Sequence, residues 1–283
     1  MKMRKIVDRI HFKKKEEKKM KKIISVLMVC VMLLAMVGCN SSDDNNGGTE
    51  KLIVVTSPDY APFEFINPQT QEIVGSDIEL AKYIASELGM ELELQTAAFD
   101  LLVEGVASGK YPVAISGFTF NESRAQQANF SDAYYTEGFQ GMLIKEENLD
   151  VYTSAEAFAG KYVNAQSGSI QAEIAEQFLS EANVTPVTLI TDGVQNLLSG
   201  KIDGLVIASM SGEAIIAANP GLVMAPFQFE VESNQNDTFV IVNKNETELL
   251  EKINAIIAKV VEENLYAQWH EEAKQLQADL GVE

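Results

Sequence analysis

An α/β fold is what this chain of 283 residues predicts, and three observations carry the prediction. Strand-like apolar runs alternate with helix-like amphipathic segments from Lys51 onward. The stretch from Thr49 to Glu283, about 235 residues, is long enough for one large or two medium domains. A helix, a Ser-Gly-Lys turn and an apolar strand occur twice, at Ser108–Ser116 and Ser199–Ile207, about 91 residues apart. The echo suggests two lobes of similar design, each offering a strand end and a following helix N-terminus to a shared cleft, the place where open α/β sheets hold ligands.

The first segment reads as an address. Ile23–Val37 is apolar except for Ser25, follows Lys21-Lys22 and precedes Gly38-Cys39. It is short for a membrane span, which needs ~20 apolar residues, and right for a signal-peptide core. Residues 1–38 are therefore read as a signal peptide, with Met20-Lys21-Lys22 a natural start within it. Met36-Val37-Gly38-Cys39 resembles a bacterial lipobox, which implies lipidation at Cys39. Residues 39–49 carry Ser41-Ser42-Asp43-Asp44-Asn45-Asn46-Gly47-Gly48 and read as a flexible tether. The expected location is the outer face of the cytoplasmic membrane.

The folded part then proceeds element by element. Leu52–Val55 is a buried strand. Asp77–Leu88 places Ile78, Ala81, Ile84, Ala85 and Leu88 on one helical face, and Gly89 stops it. Glu91–Gln95 alternates as a strand, Phe99–Ser108 is helical and Pro112–Ser116 is a strand. In both echo units glycine ends the helix and lysine favours its negative pole.

Composition excludes several chemistries. Cys30 and Cys39 are the only cysteines and both precede the folded part, so disulfides, a thiolate nucleophile and Cys-ligated zinc are not expected there. The two histidines, His11 and His270, leave little for a Ser-His-Asp arrangement or a His-rich metal site. Neither a metal nor a cofactor is expected. Residues 1–38 hold 11 of the 22 Lys and Arg and 3 of the 41 Asp and Glu, which leaves 11 basic against 38 acidic residues from Cys39 onward. That balance argues against nucleic acid. Arg124 is the only arginine after residue 9. A guanidinium matches a carboxylate with two parallel hydrogen bonds.

Four motifs in series now carry a resemblance: Thr56–Phe65 with Asp59-Tyr60-Ala61-Pro62-Phe63, Val74–Ala81, Ile115–Thr119 with Arg124, and Phe130–Tyr135. In order and spacing the chain from about Lys51 to Ala273 resembles the extracellular solute-binding proteins of polar amino-acid ABC importers. The resemblance implies a type II periplasmic-binding-protein-like clamp, with each lobe a sheet flanked by helices. Lobe one would hold 50–138 and 238–283, lobe two 139–237, with hinges near Gly138 and Asp237. It implies a monomeric protein that closes on an amino acid or related carboxylate and meets a permease. Its ligand contacts carry over as Tyr60 and Phe99 around the ligand's side chain, Ser116 and Phe118 through their backbone to the amino group, and Thr119 and Arg124 to the carboxylate. The Ser169 and Ile170 amides would add donors at a helix N-terminus. Asn121 reads as the cap of the helix that carries Arg124.

One departure matters. The family's acid for the ligand ammonium falls five positions after Asp203, and Ala208 stands there. Ser209, Glu213 or an acid from elsewhere takes the role, or the ligand lacks an α-ammonium group. Phe118, in place of methionine or leucine, offers a third aromatic wall or simply packs. The competing functions are a dehydratase on the same fold, with Glu64 or Glu213 as general acid, and a sensory protein that reports to a receptor; no catalytic residue is expected.

Overall fold

The computed structural model describes residues 50–282. The signal peptide, Cys39 and the tether lie outside the described residues. Two five-stranded sheets carry the architecture. The first sheet has the order β5-β1-β6-β13-β7, formed by Glu91–Thr96, Lys51–Thr56, Val113–Thr119, Asp237–Val242 and Asn129–Thr136. The second has the order β10-β9-β11-β8-β12, formed by Asn183–Val187, Tyr162–Gln166, Gly204–Ala208, Gln140–Lys145 and Leu222–Met224. A small ribbon of β2 (Asp59–Tyr60), β3 (Glu64–Ile66) and β4 (Ile73–Val74) follows β1.

The central strands are apolar on both faces because helices cover both. In β11, Leu205 and Ile207 join one core cluster and Val206 the opposite one. In β8, Leu143 and its neighbours Met142 and Ile144 divide the same way. Val54 and Val55 separate likewise across the first sheet. This is the two-sided burial of central strands in α/β proteins, and it extends to β8, which runs antiparallel to both of its neighbours.

Helices α1 (Ser76–Glu87) and α2 (Phe99–Ala107) follow the first two turns of the sheet. Helices α4 (Ile170–Phe178), α5 (Ile190–Leu198) and α6 (Ser209–Ala218) belong to the second sheet. The C-terminal helices α7 (Thr247–Glu262) and α8 (Leu265–Leu280) return to the first. In α7, Ile253, Ile256, Ile257 and Val260 are buried at helical spacing. Gly109 and Gly200 take left-handed backbone (φ 78 and 75), the conformation that lets both Ser-Gly-Lys units turn from helix to strand.

The chain crosses between the sheets at Glu137–Phe139 and returns after a short 3-10 turn, Ser233–Gln235. The two crossings are joined: Glu137 N–H donates to the Asn236 carbonyl at 2.8 Å, and Gln140 Nε2 to the Gln235 carbonyl at 3.1 Å. Asp237 already belongs to β13, pairing with Thr136.

Candidate functional site

β6 pairs with β1 only at Val54–Val113 and Val55–Ala114 and then continues to Thr119. Its last residues therefore project past β1 while still pairing with β13, Phe118 opposite Phe239 and Thr119 opposite Thr238. They rest on a buried carboxylate shelf. Asp77 accepts from Tyr134 Oη and Tyr266 Oη and takes the Gly117 N–H at 2.7 Å. Ser116 Oγ donates to Glu64 Oε1 at 2.6 Å. Burial first, and then the charge of Asp77, raises Glu64 well above the ordinary carboxylate range.

Arg124 follows directly. Asn121 caps α3 (Glu122–Gln127) by accepting the Arg124 N–H at 3.0 Å, which fixes the helix start beside the strand end. The guanidinium is buried, donates from Nη1 to the Thr119 carbonyl at 2.9 Å and from Nη2 to the Gly168 carbonyl at 2.7 Å. It stands 5.5 Å from the Phe99 ring centre and 5.4 Å from that of Phe118. No ion pair among the described residues includes it. Burial accordingly lowers its pKa to about 10, with the charge of Glu173 acting the other way.

The second sheet faces this side chain with the start of α4. Ser169 caps that helix, accepting from the Ala172 N–H at 3.1 Å and donating to the Gln166 carbonyl. Several bonds cross the gap. Asp59 Oδ2 accepts from Gln166 Nε2 at 2.9 Å and from the Ile190 N–H at 3.0 Å. Ser167 Oγ donates to Asp100, and Asn121 Nδ2 to Glu173.

Between the two faces lies a nearly closed cavity of about 20 Å³. Tyr60, Phe99, Ser116, Gly117, Thr119 and Arg124 line it from one side. Gln166, Ser169, Ile170, Gln171, Ile190, Val206 and Ile207 line it from the other. A larger depression of about 620 Å³ lies beyond the Asn121–Glu173 contact, but its charged walls are Glu122, Glu173, Glu230 and Glu232. Four carboxylates and no cation make it a poor host for an anion.

Seven of the residues singled out in the sequence thus meet at one cavity: Tyr60, Phe99, Ser116, Thr119, Arg124, Ser169 and Ile170. Three other expectations are corrected. Phe118 is fully buried and stacks behind Phe99 at 5.0 Å, so its ring packs the core and forms no third wall. Ser209 does not line the cavity. Its hydroxyl accepts the Phe139 N–H and donates to the Glu137 carbonyl, which ties α6 to the hinge. Glu213 is exposed on α6 beside the Lys274 face of α8 and cannot serve as the missing acid. Sequence reasoning missed Glu137, which is 1 % exposed and accepts from Tyr60 Oη at 2.9 Å. Its one local signal is its place immediately before Gly138 at the crossing.

Comparisons with known proteins agree with this geometry. The family model described as bacterial extracellular solute-binding proteins, family 3, matches residues 52–273. The arginine-binding extracellular protein ArtP of Bacillus subtilis is 32% identical over 216 residues, 76% of this chain and 82% of that protein. The amino acid ABC transporter substrate-binding protein AbpA of Streptococcus pneumoniae, solved with L-arginine, is 34% identical with a TM-score of 0.76, over 82% of this chain and 96% of that one. An ancestral arginine-binding protein solved with glutamine is 31% identical with a TM-score of 0.72, over 80% and 98%.

Proposed function

The chain belongs to the bacterial extracellular solute-binding proteins, family 3, and from that membership we propose that it captures L-arginine between two lobes and delivers it to the permease of an ABC importer. The family and these relatives are binding proteins, which leaves the dehydratase alternative without support. The observation that carries the reading is a single buried cation, Arg124, on one wall of a cavity whose other wall begins a helix at Ser169 and Ile170. A carboxylate held by both walls bonds both lobes at once. Only differential affinity of that kind closes a two-state clamp.

Arg124 and Thr119 hold the ligand carboxylate, with the Ser169 and Ile170 amides opposite. Tyr60 and Phe99 flank the side chain. The strand-end backbone at Ser116 and Phe118 faces the amino group. Asp59 stands behind the lining, bonded to Gln166 and Ile190, and the exposed Asp100 lies at the rim, bonded to Ser167. Against one guanidinium they favour a ligand whose side chain is cationic. Residues 50–138 and 237–282 form one lobe and 139–236 the other, turning about the joined crossings. Lipidation at Cys39 keeps the monomeric protein at the outer face of the cytoplasmic membrane, within reach of the permease.

Thermal unfolding with the twenty amino acids tests the ligand. L-arginine at 100 times its dissociation constant adds ~2.7 kcal/mol and gives the largest upward shift. A larger shift with an acidic or neutral amino acid, or none with any, overturns the reading.

A further inference from the structure

Resting on the amino-acid reading above, we propose that Glu137 at the hinge supplies the anion that receives the ligand's α-ammonium group, in place of the acid absent at Ala208. The two positions are neighbours in space. Ala208 ends β11 opposite Gln140, and the first turn of α6 is bonded to the crossing. Ser209 N–H donates to the Phe139 carbonyl at 2.8 Å and Met210 N–H to the Glu137 carbonyl at 3.3 Å. A charge moved from residue 208 to residue 137 therefore stays at the same corner of the cleft.

The carboxylate is turned toward the cavity lining. Oε2 accepts from Tyr60 Oη at 2.9 Å. Oε1 lies 3.5 Å from where a Cβ on Gly117 would stand. Tyr60 and Gly117 both line the cavity. Oε1 is buried and has no hydrogen-bond partner among the described residues. A buried carboxylate oxygen without a donor is uncompensated. An ammonium group placed beside the Ser116–Gly117 backbone supplies both the donor and the opposite charge.

Two other acids near the cleft are already engaged. Asp59 takes Ser57 Oγ on one oxygen and Gln166 and Ile190 on the other. Asp77 is filled by Tyr134, Tyr266 and Gly117. Glu64 sits behind Ser116, which donates to its Oε1, while its Oε2 is buried without a partner among the described residues, so that the Tyr60 and Gly117 contacts are what favour Glu137.

A proton is linked to the event. Burial pushes the Glu137 carboxyl up to about 8, with the Tyr60 hydroxyl lowering it and the charge of Asp77 raising it. Tyr135 is the further titratable group in its field. Without a cation beside it the group is mostly protonated at neutral pH, and an arriving ammonium ionises it. Binding at pH 7 therefore releases a proton.

The test titrates L-arginine and its desamino analogue, 5-guanidinopentanoate, by calorimetry into the full-length mature protein, Glu137→Gln, Glu137→Gln with Ala208→Asp, and Arg124→Ala. Glu137→Gln weakens L-arginine by about 10-fold or more and the desamino analogue by less than about twofold. Ala208→Asp in the Glu137→Gln background restores most of the loss. Native affinity for L-arginine in Glu137→Gln, with Arg124→Ala inactive, overturns the assignment and leaves the proposed function standing. Absence of L-arginine binding by the unsubstituted protein overturns both. If Glu137→Gln does not fold, the unsubstituted protein decides. L-arginine, and not 5-guanidinopentanoate, releases a proton when titrated in buffers of different ionisation enthalpy, and release equal for the two ligands refutes the assignment.

Discussion

Arg124→Met separates stability from function in one side chain. The guanidinium is 6 % exposed, forms no ion pair among the described residues and is bonded to two carbonyls. Its desolvation is thus only partly offset before ligand arrives. Replacing a buried cation by an apolar side chain of similar volume is commonly neutral or stabilising. Two losses stand against that gain, since the Thr119 and Gly168 carbonyls each lose a charge-assisted donor, at ~1.5–3 kcal/mol apiece. The ligand-free protein is therefore expected to change by no more than a few kcal/mol in either direction. The ligand loses much more. Two charge-assisted bonds to a carboxylate are worth ~3–6 kcal/mol together, a fall in affinity of about 10²- to 10⁴-fold. Denaturant unfolding gives the first quantity, and calorimetric titration with L-arginine the second. L-arginine affinity within about tenfold of the unsubstituted protein would refute the assignment of Arg124 as the carboxylate anchor.

Three further perturbations follow from the same geometry. Asp59→Ala removes two bonds between the lobes, so the ligand-free protein becomes more open in small-angle scattering and L-arginine affinity falls about tenfold; an unchanged radius of gyration counts against the latch. Gly138→Ala places a Cβ 2.3 Å from Ser209 Oγ at φ 82, so it costs ~1–3 kcal/mol in denaturant melts and alters closure; wild-type stability and affinity speak against a strained crossing. His270 is buried, and burial first, then Lys274, lowers its pKa to about 4 while Glu271 acts oppositely. The unfolded chain takes up that proton near 6.5, before the fold does, so stability is full above pH 6.5 and falls as pH drops toward 4, by ~3 kcal/mol. Melting curves between pH 7 and 4 should flatten in His270→Phe, and an unaltered slope excludes the histidine as the source.

Helix and strand signals, and the single arginine after residue 9, were present along the chain. The apolar spacing of Ile78, Ala81, Ile84 and Ala85 is a local property and places their helix without reference to anything distant. The Asn121 cap of Arg124 spans three residues, and the solitary arginine is visible in composition alone. The acids were not legible in this way. Glu137 is one of 38 carboxylates after the leader, and its one local signal, the following Gly138, does not show that it is buried. Its partner Tyr60 is 77 positions away, and the Ser76–His270 contact in the same lobe spans 194. The choice between wall and packing at Phe118 stayed open for the same reason: a strand fixes which residues share a face, but the ring that covers that face, Phe99, comes from another element. Caps and periodicity act through bonded neighbours, so the sequence determined the elements and Arg124. Desolvation, unpaired oxygens and raised pKa values depend on what the fold brings from elsewhere, so tertiary structure alone decided which acids are buried and left without a partner.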